Sequence, residues 1–210
     1  MRLTRRLVQL YLGLALYGVS MALFLRSQLG NMPWDVLHQG IERYVPVSFG
    51  TITIATGVIV LLLWIPLRQR PGLGTVSNVL VIGVVVDLAL RVVGEPSHLA
   101  VRIAFLVAGV VLNAVATACY IGARFGPGPR DGLMTGVVAK YGWPVRLVRT
   151  AIEVAVVAVG FALGGTLGIG TLVYALAVGP LVHPLLPLLR VPEPASPADP
   201  PARTAAELAV

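Results

Sequence analysis

Shifted by 96 residues, the sequence lies on itself without a gap, so the chain is two copies of one unit. Setting Leu10–Leu90 against Leu106–Leu186 gives 21 identities in 81 pairs. The matches that composition cannot supply are the informative ones. Gly30, Pro33, Asp35, Leu37 and Gly40 fall on Gly126, Pro129, Asp131, Leu133 and Gly136, and Gly72, Gly74, Thr75 and Gly83 fall on Gly168, Gly170, Thr171 and Gly179. Whatever the fold is, it must be buildable twice from a unit of about 90 residues.

The unit is made for lipid. Of 210 residues, 57% are hydrophobic and 12% charged, with a mean hydropathy of +0.86. A soluble domain carries about 25% charged residues. The net charge of +7 does not read as nucleic-acid binding, because Arg and Lys sit at the ends of apolar runs and form no basic face. A single cysteine, Cys119, lies in an apolar run, which leaves no internal disulfide.

An apolar helix crosses a hydrocarbon core in about 20 residues. Runs at 7–25, 44–67 and 103–123 meet that alone. Residues 154–189 hold no formal charge and would form a single helix of about 54 Å, far too long to span once, so they must reverse near Gly164–Gly170. The 96-residue register cuts this run where it cuts the first copy, at the G-x-G-T sequences Gly72–Thr75 and Gly168–Thr171. Six spans are expected, near 7–25, 48–67, 73–93, 103–123, 146–164 and 169–189. The expected fold is thus an all-α polytopic membrane helix bundle: one transmembrane domain over 1–190, with repeats at about 7–94 and 103–190, and a disordered cytoplasmic tail over 191–210. Three spans per copy make the repeats inverted. Arg2, Arg5 and Arg6 before a 19-residue uncharged run suit an uncleaved first span. With the N-terminus in the cytoplasm, the 16 basic residues divide twelve inside and four outside, the four being Arg26, Arg43, Arg91 and Arg102. The expected location is the bacterial cytoplasmic membrane, with both termini cytoplasmic.

Each copy also carries a segment too short to span, starting at Pro33 and at Pro129. Proline suits the first helical turn, and Asp35 and Asp131 two positions later suit the positive end of the helix. These segments read either as interfacial helices anchored by Trp34 and Trp143 or as re-entrant half-helices whose N-termini meet at the midplane, where inverted-repeat transporters place their site. Arg130 replaces Trp34 in the second copy. The candidate substrate- or ion-binding residues are Pro33, Asp35, Pro129, Arg130, Asp131 and Glu153, with the helix-opening Gly74, Thr75, Gly170 and Thr171 able either to cap a hairpin or to line a path. Glu153, four residues after Arg149 and seven after Arg146, is either neutralised by them or an ion ligand. Asn113 aligns with Tyr17, and Gly160, Gly164 and Gly168 offer close packing.

No H-E-x-x-H, C-x-x-C or G-x-S-x-G occurs, so no enzyme, metal or cofactor is expected. The Leu29–Asp35 segment, the Gly128-Pro129-Arg130-Asp131-Gly132-Leu133-Met134 stretch and the paired G-x-G-T turns resemble the YitT/YczE family of bacterial membrane proteins, over about residues 7–190. The resemblance implies location and architecture, and no substrate. Two functions remain open: a small-solute or ion permease with its site between the halves, or a non-transporting accessory partner of another complex. The bilayer is the expected partner, a homodimer is an option, and nucleic acid is not expected.

Overall fold

In the computed structural model the described residues are 2–191, and among them every regular element is a helix. They run α1 (Arg2–Ser27), α2 (Pro33–Glu42), α3 (Phe49–Trp64), α4 (Leu73–Val92), α5 (Leu99–Gly122), α6 (Pro129–Tyr141), α7 (Val145–Ala162) and α8 (Ile169–Leu189). The expected tail falls outside the described residues except for Val191, whose N–H donates to the Gly122 carbonyl at 3.0 Å.

The 96-residue register is obeyed by the backbone. α2, α3 and α4 start at residues 33, 49 and 73, and α6, α7 and α8 at 129, 145 and 169. Left-handed residues recur in register too: Gln28 with Arg124, Gly30 with Gly126, and Arg68 with Gly164. Where only glycine adopts such a conformation cheaply, Gly30 and Gly126 at φ 119° and 113° turn the chain into each short helix.

α1 and α5 form the axis and run antiparallel. Gly13 of α1 lies against Ala116, Cys119 and Tyr120, while its register partner Gly109 of α5 lies against Ser20 and Phe24. Arg6 reaches the Ala123 carbonyl at one end of this pair, and Arg102 the Ser27 carbonyl at the other. Small residues at the crossing let the two backbones approach. Around this axis α4 packs parallel to α1, fixed by Tyr11 with Ser77 and Arg26 with the Leu90 carbonyl. α8 packs in the same way on α5. The short helices are exchanged between copies, α2 resting on α7 and α6 on α3.

A further exchange locks the copies together. The Gly74 N–H donates to the Phe125 carbonyl at 2.9 Å, and the Gly170 N–H to the Leu29 carbonyl at 2.7 Å. Thr75 and Thr171 cap the same helix starts, accepting from the Gly72 and Gly168 N–H groups at 3.2 and 3.4 Å. The core is centred on Leu10, Leu14, Met21, Phe24, Leu106, Val110 and Tyr120. Outside it, Leu80, Val84 and Leu88 of α4, Val107 and Val111 of α5 and Leu172 and Leu176 of α8 are exposed, an apolar surface of the kind a bilayer covers.

Among the described residues, four helices are long and apolar enough to cross a membrane: α1, α4, α5 and α8. α3 is apolar but has 16 residues. α7 has 18 and carries Arg146, Arg149 and Glu153 in its first half.

Candidate functional site

The first turns of α2 and α6 point toward each other. Each opens with proline, whose missing N–H is harmless there, and each has its aspartate in the first turn. The guanidinium of Arg130 lies 4.7 Å from the centre of the Trp34 ring. Those two residues occupy equivalent positions in the repeat, so the contact is where the two copies meet. A cation over an aromatic face is worth about 0.5–2 kcal/mol, more as water is excluded.

Beside this contact is a cavity of about 420 Å³. Pro33, Trp34, Pro129, Arg130 and Asp131 line it, together with Tyr17, Tyr120 and Tyr174 from three different helices and Glu153 and His183 from α7 and α8. Of the residues proposed from sequence, Pro33, Pro129, Arg130, Asp131 and Glu153 therefore share one space. Asp35 lies behind its wall. Gly74, Thr75, Gly170 and Thr171 do not line the cavity; they make the interlock described above.

The two aspartates have different surroundings. Asp131 is half-buried, and its Oδ2 accepts from the Tyr120 hydroxyl at 3.0 Å. Asp35 is fully buried, with its Oδ1 3.4 Å from His38 Nδ1 and no other donor to either oxygen among the described residues. His38 also faces the Thr53 hydroxyl at 3.3 Å and stacks edge-on against Phe49. Glu153 pairs with Arg149 at 3.1 Å, one turn away, on an exposed face, so only one of the two expected arginines holds it. Asn113 donates to the Ser20 hydroxyl at 3.0 Å across the α1–α5 axis. Of the three spaced glycines, Gly160 lies against the α2 backbone at Val36 and Leu37, Gly164 turns the chain at φ 92°, and Gly168 precedes α8.

Two functional-looking side chains, His38 and Trp64, were not singled out from sequence. His38 could have been noticed from its i, i+3 spacing to Asp35. Trp64 donates to the Pro129 carbonyl at 3.0 Å and packs over Gly132, so it seats α6. Asp87 accepts from Ser48 and from the Gly50 N–H at 2.5 and 2.7 Å, tying the start of α3 to α4. Near it, at the far end of α2, Glu42 has its pKa raised by burial and then by the negative charge of Asp87.

Apolar helices of spanning length around a polar interior define a multi-pass α-helical membrane protein. A family of unknown function, DUF6198, matches residues 4–186. A protein of Haemophilus influenzae described as uncharacterized is 35% identical over 174 residues, covering 83% of this chain and 80% of its own. The uncharacterized membrane protein YczE of Bacillus subtilis is 30% identical over 172 residues, 81% and 80% of the two chains. The uncharacterized protein YyaS of the same bacterium is 26% identical over 182 residues, 85% and 90%. The chain belongs to this YczE-like family. No solved structure matches it.

Proposed function

We propose that the protein is a permease for a small solute or ion, with its site in the cavity where the two half-helices meet, and that it catalyses no reaction. The observation that carries this is the convergence of Trp34 and Arg130, equivalent residues of the two copies, at one cavity of about 420 Å³. Interfacial helices lying flat at opposite surfaces would not bring them together. In this reading α2 and α6 are re-entrant, α1, α3, α4, α5, α7 and α8 are the six spans, and the antiparallel α1–α5 axis supports an inverted pair of three-span units. The twelve-to-four charge division supports cytoplasmic termini.

Asymmetry between the copies supports alternating access. α3 packs along α4, whereas the equivalent α7 makes little contact with α8. The cavity residues Arg149 and His183 on those two separated helices are exposed. On the outer side, Asp87 ties α3 to α4 and Arg26 is bridged to Glu95. These features support reading the arrangement as a cytoplasm-facing state, whose outward-facing counterpart would follow from exchanging the two copies' conformations.

Purified protein in liposomes, presented with a panel of labelled ions and small metabolites, tests the proposal. Flux of at least one solute is expected, reduced tenfold or more by Arg130→Ala. No flux of any solute, together with cellular phenotypes unchanged by Asp35→Asn, Asp131→Asn and Glu153→Gln, would overturn it.

A further inference from the structure

We infer that Asp35, set against His38 inside α2, is the binding site of a small monovalent cation, a proton or an alkali ion. Its place as the coupling ion rests on the permease reading; its existence as a site does not. Both side chains are fully buried. Among the described residues, Asp35 Oδ2 has no hydrogen-bond donor, Oδ1 has only His38 Nδ1 at a long 3.4 Å, and His38 Nε2 has no partner. Two further buried oxygens are also without donors: Asn31 Oδ1, just before the helix, and Asn113 Oδ1 on α5, whose amide nitrogen touches Met32 at the start of α2. Asp35 Oδ2, Asn31 Oδ1 and Asn113 Oδ1 are thus buried about the start of one short helix without a donor among the described residues, and Asp35 Oδ1 has only the long 3.4 Å approach of His38 Nδ1. A buried carboxylate in that condition costs several kcal/mol unless positive charge is supplied.

The surroundings do not supply enough. α7 meets α2 with the backbone of Gly160, and the turn after α7 meets it with Leu163 and the backbone of Gly165. α3 brings Phe49 and Thr53. Among the described residues, Arg130 of α6 is the nearby cation, resting on the Trp34 ring with no ion pair to any of them. Tyr17 and Tyr174 add hydroxyls, and the start of α2 contributes about half a charge. At the surface end of α2, Glu42 adds a further negative charge. Among the described residues no group of three or more His, Cys, Asp or Glu side chains is placed to hold a metal ion, which favours a single-charged occupant. Thr53 provides the route, since it lines the cavity and its hydroxyl stands 3.3 Å from His38 Nδ1. The second copy offers no equivalent: Asp131 has the Tyr120 hydroxyl, and Met134 stands where His38 does. One cation per chain follows.

The test is thermal unfolding of the purified full chain in detergent, with sodium exchanged for choline at constant ionic strength and, separately, across pH. Sodium, or falling pH, is expected to raise the midpoint of wild type and Asp131→Asn by several degrees. Asp35→Asn removes the sodium response and, with Glu42→Gln present in every sample of the pH series to silence that second pH-sensitive carboxyl, the pH response, and His38→Met, which installs the second copy's residue, moves it several-fold in cation concentration. A response to sodium identifies an alkali ion, and a response to pH alone identifies a proton. If Asp35→Asn responds as wild type does, or wild type responds to neither, the site is refuted. If Asp35 governs the response but liposomes pass no solute, the site stands and the permease reading falls. If solute flux occurs but is indifferent to sodium and pH gradients, the coupling role alone falls.

Discussion

Gly83 and Gly179 are equivalent residues in the two copies, and the structure gives them opposite consequences. A methyl group added at Gly83 would stand 2.5 Å from Ile54 Cγ1 and 2.6 Å from the Gly50 carbonyl oxygen. The Ile54 side chain can turn aside, but the carbonyl is backbone, so α3 must move off α4. At Gly179 the same methyl meets nothing within 4 Å. Overpacking of this kind costs about 1–3 kcal/mol. Taking roughly 2 kcal/mol at about 2–4 °C per kcal/mol for a chain of this size, Gly83→Ala should lower the unfolding midpoint by roughly 4–8 °C, and Gly179→Ala by about a degree or less. The strain is present only where α3 and α4 are packed. It therefore also biases the chain toward the exchanged conformation by roughly thirtyfold, at 1.4 kcal/mol per decade. Differential scanning fluorimetry of the two variants in the same detergent decides the matter. Equal losses in the two variants would mean that the copies pack alike and that the asymmetry is not a property of the molecule.

Trp64→Phe removes the indole's hydrogen bond to the Pro129 carbonyl, the first carbonyl of α6, and should cost about 0.5–1.5 kcal/mol, read as a lower unfolding midpoint. The two capping threonines should differ. Thr75 also donates to the Pro127 carbonyl at 2.7 Å, so Thr75→Val should lower the midpoint more than Thr171→Val, by about 1 kcal/mol. Glu42 has a raised pKa, so its contribution to stability is fully present below its ordinary value of 4.5 and is lost as pH rises through the raised one. Stability of Glu42→Gln followed from pH 4.5 upward should fall less steeply than that of wild type.

Much of the architecture was readable because a gapless repeat transfers every local signal twice. Pro33 with Pro129 and Gly72 with Gly168 marked the helix starts, and the split of residues 154–189 at Gly168 came from the first copy. Partner choice was not readable. The register says that α2 and α6 are equivalent, but not that each rests on the other copy's helix, since that depends on where Gly160 meets Val36 and Leu37. The candidate site was legible in part. Prolines, Arg130 and the aspartates mark themselves as unusual in an apolar chain, whereas the tyrosines and Trp64 look like ordinary packing residues until three dimensions bring them together. The difference between Asp35 and Asp131 was hidden for the same reason: identical residues in register acquire different neighbours, His38 and Tyr120.

Two-sided accessibility of the cavity tests the permease account most directly. In a Cys119→Ala background, a cysteine placed at Thr56, on the cavity wall of α3, is exposed to a membrane-impermeant thiol reagent in right-side-out and inside-out vesicles. Rapid reaction from the cytoplasmic side and slower reaction from the outside are expected, with Gly83→Ala raising the outer rate tenfold or more. Reaction from one side only, unchanged by Gly83→Ala, would contradict it.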